Sequence, residues 1–214
     1  MIRFNNSIIM PALLFIVLVA FYFNVSIFVP WKDLSLGGSI STSYIFDFFY
    51  WLGVALLLKE EPRFGELRPK GAFLRGFFTA LLAIGFCMFS LSAEFVSPFK
   101  YLDKLALKLL ILAPFFEEIV FRGAMYDLLA KVPKLNQKIK LLINAALFSG
   151  SHAAALAFLP EEFFSFVYYQ LFYTLILGWV CAKSRERSKG LMEPIILHLI
   201  FNLMFYLAIT NYGL

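Results

Sequence analysis

Apolar residues in this chain come in runs too long and too unbroken to be the single buried stripe of a soluble amphipathic helix. Seven runs stand out, at residues 7–29, 44–58, 77–93, 105–130, 139–159, 163–182 and 191–210. Most have the ~17–25 residues that an α-helix needs to cross the hydrocarbon core of a bilayer. Short polar connections separate them. The pattern predicts an all-α polytopic integral membrane protein of about seven transmembrane helices. The first run follows Arg3 but is long and lacks a small-residue cleavage site, so it reads as a retained spanning helix and not a signal peptide.

The basic residues test this division. With the N-terminus in the cytosol, the loops after the second, fourth and sixth runs face inward. Lys59, Arg63, Arg68, Lys70 and Arg75 fall in the first of these loops, and Lys131, Lys134, Lys138 and Lys140 in the second. The third holds Lys183, Arg185, Arg187 and Lys189, whereas the outward loops hold only Lys32, Lys100 and Lys104. Cytoplasmic loops carry such an excess of Lys and Arg. The chain is therefore expected to have its N-terminus inside and its C-terminus outside.

Composition narrows the class further. Of the 214 residues 61% are hydrophobic and 15% charged, more apolar surface than a soluble domain of this length can bury. One transmembrane domain over 1–214 is expected, with no soluble module. The net charge of +5 sits in loops, so it points to an anionic lipid surface and not to nucleic acid. Cys87 and Cys181 lie in apolar runs without CxxC spacing, which indicates neither a disulfide framework nor a zinc site. Length and the absence of organelle signals favour a prokaryotic plasma membrane.

Against this background the polar residues inside the runs are informative. The stretch FFEEIVFRG, residues 115–123, places Glu117, Glu118 and Arg122 in apolar surroundings. Ionisable groups at membrane depth are costly and usually mark function, with a partner close by. Glu118 and Arg122 are four apart and share a helix face, so they can pair. Glu117 is turned about 100° away, and its carboxylate is left for another use.

The chain has two histidines, both inside runs: His152 follows Phe148 by four residues, and His198 precedes Asn202 by four. At a rise of ~1.5 Å per residue, Glu117 and His152 lie roughly 20 Å from the inward ends of their helices, and His198 and Asn202 about 11 and 17 Å. Three helices thus bring polar groups to one layer near the midplane. His198 and Asn202 share a face. Small residues around His152, such as Gly150, Ala153 and Ala155, suit close helix packing.

No HExxH is present, and no Ser or Cys stands in a nucleophile pattern. A carboxylate and an imidazole remain to activate water, and a second histidine and an amide to hold a developing oxyanion. The chemistry indicated is amide hydrolysis within the membrane. Three other uses of the same residues stand beside it: a scaffold or immunity protein whose polar layer only joins helices, a divalent-metal site on Glu117, His152 and His198, and a proton-coupled transporter, for which no internal repeat is seen.

Together, EExxxR (Glu117, Glu118, Arg122), FxxxH (Phe148, His152) and HxxxN (His198, Asn202) resemble the three motifs of the CAAX protease and bacteriocin-processing family, also called the ABI family. They occur in the family's order, each on its own run, and the resemblance covers about 115–202. It implies a glutamic-type intramembrane endopeptidase without bound metal or other cofactor. On this resemblance Glu117 is the base, with His152 orienting or activating the water, and His198 and Asn202 form the oxyanion hole. Glu118 and Arg122 are the supporting pair. The implied partner is a membrane-associated protein or peptide, lipidated or with a hydrophobic C-terminal segment, in a lipid bilayer.

Overall fold

The computed structural model describes residues 35–36, 40–41, 64–65, 71–97, 110–111, 113–130, 132–157 and 159–212. The predicted spans at 7–29 and 44–58 fall outside the described residues. Ser35–Leu36 (β1) and Ile40–Ser41 (β2) form a minimal antiparallel ladder, Ser35 opposite Ser41. Everything else of regular structure among the described residues is helical.

The helices are α1 (Ala72–Ser92), α2 (Ala113–Glu118), a π-helical segment (Ile119–Met125) and α3 (Tyr126–Ala130). After them come α4 (Gln137–Ser151), two 3₁₀ segments (His152–Ala157 and Glu161–Phe163), α5 (Phe164–Ser188) and α6 (Met192–Tyr212). Among the described residues three helices are long and apolar enough to cross a membrane: Ala72–Ser92, Glu161–Ser188 and Met192–Tyr212. Their outward positions carry Phe73, Leu74, Phe78, Phe89, Phe172 and Leu203 exposed, a surface that matches lipid and not water.

α1 packs along α6 and α4 along α5, with α5 and α6 forming a hairpin. The α4–α5 pair is close because of Gly178: a Cβ there would stand 3.0 Å from Phe148 Cδ1 and 3.1 Å from the Ala145 Cα. Small residues allow such backbone approach where lipid supplies no hydrophobic drive. The core between these helices is aromatic, with Tyr173 stacked on Phe201 at 5.8 Å and tilted against Phe205 at 5.3 Å.

Several elements differ from the sequence expectation: α1 begins at Ala72 and takes in Arg75, and the run at 139–159 is α-helical only to Ser151 before its 3₁₀ segment. The run at 163–182 ends before the basic residues, but α5 continues through them to Ser188. Its buried face also continues, through Cys181, Ala182, Ser184, Arg185 and Ser188. Arg185 is consequently not a solvated loop cation. It is 6% exposed and spans back to Asp127 Oδ1 at 3.2 Å. A further difference is the run at 105–130, whose described part is α-helical only at its flanks.

The α5–α6 turn is held by a third strand of chain. Gly65 has φ +62°, and a Cβ on it would lie 2.5 Å from the Gly190 Cα. The adjacent Phe64 carbonyl accepts from the Met192 amide at 3.0 Å, which satisfies one orphan donor of the α6 N-terminus. Pro114 and Pro194 both sit in first helical turns, where the missing N–H costs no intrahelical bond.

Candidate active site

Glu117 and Glu118 close α2, and their two environments diverge. Glu118 is fully buried and pairs with Arg122 Nη1 at 3.1 Å. Arg122, also fully buried, donates through Nη2 to the Gly178 carbonyl at 2.9 Å and stacks over the Phe148 ring at 4.4 Å. The Glu117 side chain is 26% exposed. The i,i+4 reading of Glu118 and Arg122 therefore holds, as does the different orientation of Glu117.

The pair does not sit on a plain α-helix. Arg122 lies within the π-helical segment, where hydrogen bonds run i→i+5 and the turn is wider. Side chains from other helices take up two of the carbonyls in that segment. Asn144 on α4, wholly buried, donates Nδ2 to the Phe121 carbonyl at 2.6 Å. Arg185 on α5 donates Nε to the Arg122 carbonyl at 2.9 Å. Buried backbone groups must find partners, and here they find them in a neighbouring amide and a guanidinium. Neither Asn144 nor Arg185 belongs to the three sequence motifs.

The histidines are oriented by fixed partners. His152 stands where α4 gives way to a 3₁₀ turn, and its Nδ1 is 3.0 Å from the Phe148 carbonyl. A carbonyl only accepts, so Nδ1 carries the proton and Nε2 of the neutral ring is left as a base. His198 Nδ1 is 2.8 Å from Glu118 Oε1, and its Nε2 is 3.8 Å from Glu117 Oε2. Glu118 thus reaches His198 as well as Arg122, a link that one-helix spacing does not reveal. Phe148 explains its place in the FxxxH spacing: its ring meets His152 edge-on at 5.1 Å and His198 at 5.5 Å.

The four residues predicted for chemistry come together. Glu117, His152, His198 and Asn202 line one cavity of about 190 Å³ between α2, α4, α5 and α6. Leu110, Ala113, Leu177, Phe201 and Phe205 make its apolar wall, and Gln170, Tyr173, Thr174 and Tyr206 add neutral polar groups. The geometry sets a partly exposed carboxylate and two oriented imidazoles at one cavity wall, an arrangement suited to moving protons to and from a bound water. Among the described residues no group of three or more His, Cys, Asp or Glu forms a metal-binding cluster.

A family model described as Rce1-like, type II CAAX prenyl endopeptidase Rce1-like, matches residues 104–204. That interval contains all three motifs and the described cavity-lining residues other than Phe205 and Tyr206. Neither the curated proteins nor the solved structures contribute a match.

Proposed function

We propose that this chain cleaves a membrane-associated protein or peptide with a water activated by Glu117, a reading supported by the match of residues 104–204 to the type II CAAX prenyl endopeptidase family model. In this reading Glu117 takes the proton of the attacking water and hands it to the amine nitrogen as the C–N bond breaks, and His152, its Nδ1–H held by Phe148, offers Nε2 to orient that water. The amide of Asn202 and the ring of His198 donate to the oxyanion that forms at the scissile carbonyl. Donation by His198 Nε2, while Nδ1–H is given to Glu118, needs protons on both ring nitrogens. The carboxylates of Glu117 and Glu118 together balance Arg122 and that imidazolium. Glu118 and Arg122 keep His198 in place and do not touch the reacting atoms.

The observation that carries the proposal is the division of labour between adjacent glutamates: one sealed in an ion pair, the other open to a cavity shared with both histidines and Asn202. A scaffold whose polar layer only joins helices has no need of that cavity. The test compares protein termini in membranes from cells making the native chain or Glu117→Gln at equal abundance. New termini that vanish in the variant are expected. An unchanged set of termini overturns the proposal.

A further inference from the structure

The cavity extends well beyond the residues assigned to the chemistry. α5 and α6 run antiparallel, and their register can be read from side-chain contacts. Cys181 Sγ meets the Pro194 carbonyl at 3.7 Å, Tyr173 lies between Phe201 and Phe205, and Phe166 reaches Phe205. Leu177 is therefore level with His198, Thr174 with Asn202, and Gln170 with Tyr206. From His198 to Tyr206 is eight residues of helix, about 12 Å at 1.5 Å per residue. The cavity is a slot with the glutamate and histidines at one end and Gln170 and Tyr206 at the other.

Among the described residues the far end is polar and neutral, and its carboxamide and phenol groups are not taken up by hydrogen bonds. The Gln170 carbonyl accepts from Thr174 Oγ1 at 2.7 Å, but the Gln170 carboxamide has no hydrogen-bond partner among the described residues. The hydroxyls of Tyr173 and Tyr206 likewise have none among the described residues, although Tyr173 is only 4% exposed. A carboxamide and two phenols facing an apolar slot are costly unless something pairs with them. Among the described residues no Lys or Arg lines the slot, and Glu117 is the one carboxylate that does.

We infer that Gln170 and Tyr206, with Tyr173 between them, form a subsite that hydrogen-bonds the main chain of an uncharged, extended stretch of the substrate peptide. This rests on the peptidase reading and adds to it a binding element remote from the reacting atoms. A carboxamide donates and accepts at once, which matches a peptide unit. Extended chain rises ~3.3 Å per residue, so about 12 Å places the paired peptide unit three to four residues from the scissile bond. A charged side chain at the Gln170 end meets no opposite charge among the described lining residues, Glu117 lying at the other end, and is rejected by its desolvation.

The test uses the full chain in native membranes, with termini profiled in cells making native protein, Glu117→Gln, Gln170→Met or Tyr206→Phe. The readout is the set of termini that Glu117→Gln abolishes, normalised to the amount of chain. Gln170→Met, nearly isosteric but without the amide, is expected to lower their yield about tenfold, the worth of roughly 1.4 kcal/mol of lost pairing. Tyr206→Phe, which removes one oxygen only, is expected to lower it severalfold, and carries the test if Gln170→Met does not accumulate. On one side of the cuts, Asp, Glu, Lys and Arg are expected to be depleted within four residues. Native yields in both variants, or charged residues common on both sides, overturn the subsite while leaving the peptidase intact. If Glu117→Gln abolishes no termini, the peptidase reading fails and the subsite with it.

Discussion

Asn144 Nδ2 donates to the Phe121 carbonyl at 2.6 Å, from the buried face of α4 into the π-helical segment after α2. The bond joins the helix of His152 to the segment that follows the two glutamates. Losing it leaves the Phe121 carbonyl with the Tyr126 amide alone, so the net worth of one hydrogen bond, about 0.5–1.5 kcal/mol, is lost. Asn144→Leu, similar in size, is expected to lower stability in detergent by that amount. Asn144→Asp is not expected to rescue it, because a carboxylate cannot donate and carries charge into a fully buried position. Equilibrium unfolding of both variants checks this. A native-like midpoint for Asn144→Leu shows that the π turn stands without the bond.

What could be read from the sequence, and what could not, divides along this same contact. Glu118–Arg122 and His198–Asn202 were legible because each pair lies on one helix at a spacing of four, where geometry alone brings side chains together. Asn144–Phe121 and Glu118–His198 join different helices, and no periodicity within one run encodes them. The π turn was hidden too, since the hydrophobic pattern of 105–130 is too continuous to show a local change of pitch. Arg185 is the instructive miss. Its charge suggested a loop, whereas the small residues at 181, 182, 184 and 188 continued the buried face past it at helical spacing.

The Glu118–Arg122 pair makes a second prediction. Both groups are fully buried, so removing one partner strands the other's charge, at a cost of about 3–5 kcal/mol. Arg122→Met alone is expected to be severely destabilised. Glu118→Gln combined with Arg122→Met removes both charges and is expected to recover much of the stability, as measured by thermal unfolding. Activity is not expected to return with it, because His198 Nδ1 then faces an amide in place of a carboxylate. Recovery of Glu117-dependent cleavage in the double variant contradicts the orienting role of Glu118.

Gly178 offers a steric test of the same region. An added methyl would press on Phe148 at 3.0 Å and on the Ala145 backbone at 3.1 Å. Only the phenyl ring can yield, and that ring packs on both histidines and under Arg122. Overpacking of this kind costs about 1–3 kcal/mol. Gly178→Ala is expected to lose that much stability and to lose cleavage out of proportion to its abundance. Wild-type cleavage per folded molecule sinks the idea that Phe148 sets the histidine positions.

The last prediction concerns the end of α6 remote from the Gln170 subsite. Glu193, buried at 2% exposure, accepts from Arg75 Nε at 2.7 Å and Nη2 at 2.9 Å, and from Arg187 at 3.0 Å. This fork ties α1 to the first turn of α6, the helix that carries His198 and Asn202. A guanidinium matches a carboxylate through two parallel bonds, and an ammonium does so through a single point of charge. Arg75→Lys is therefore expected to behave as a real loss, destabilising by about 1–2 kcal/mol despite unchanged net charge. Arg75→Met, which removes the charge as well, is expected to cost more. Arg187 is 41% exposed in its side chain, and for an exposed ion-pair partner the gain is small, so Arg187→Met is expected to change stability by less than about 1 kcal/mol. Unfolding midpoints of the three variants give the ordering directly. If Arg187→Met proves the most damaging, Glu193 is held from the α5 side, and the α1–α6 fork is not what anchors the helix bearing His198.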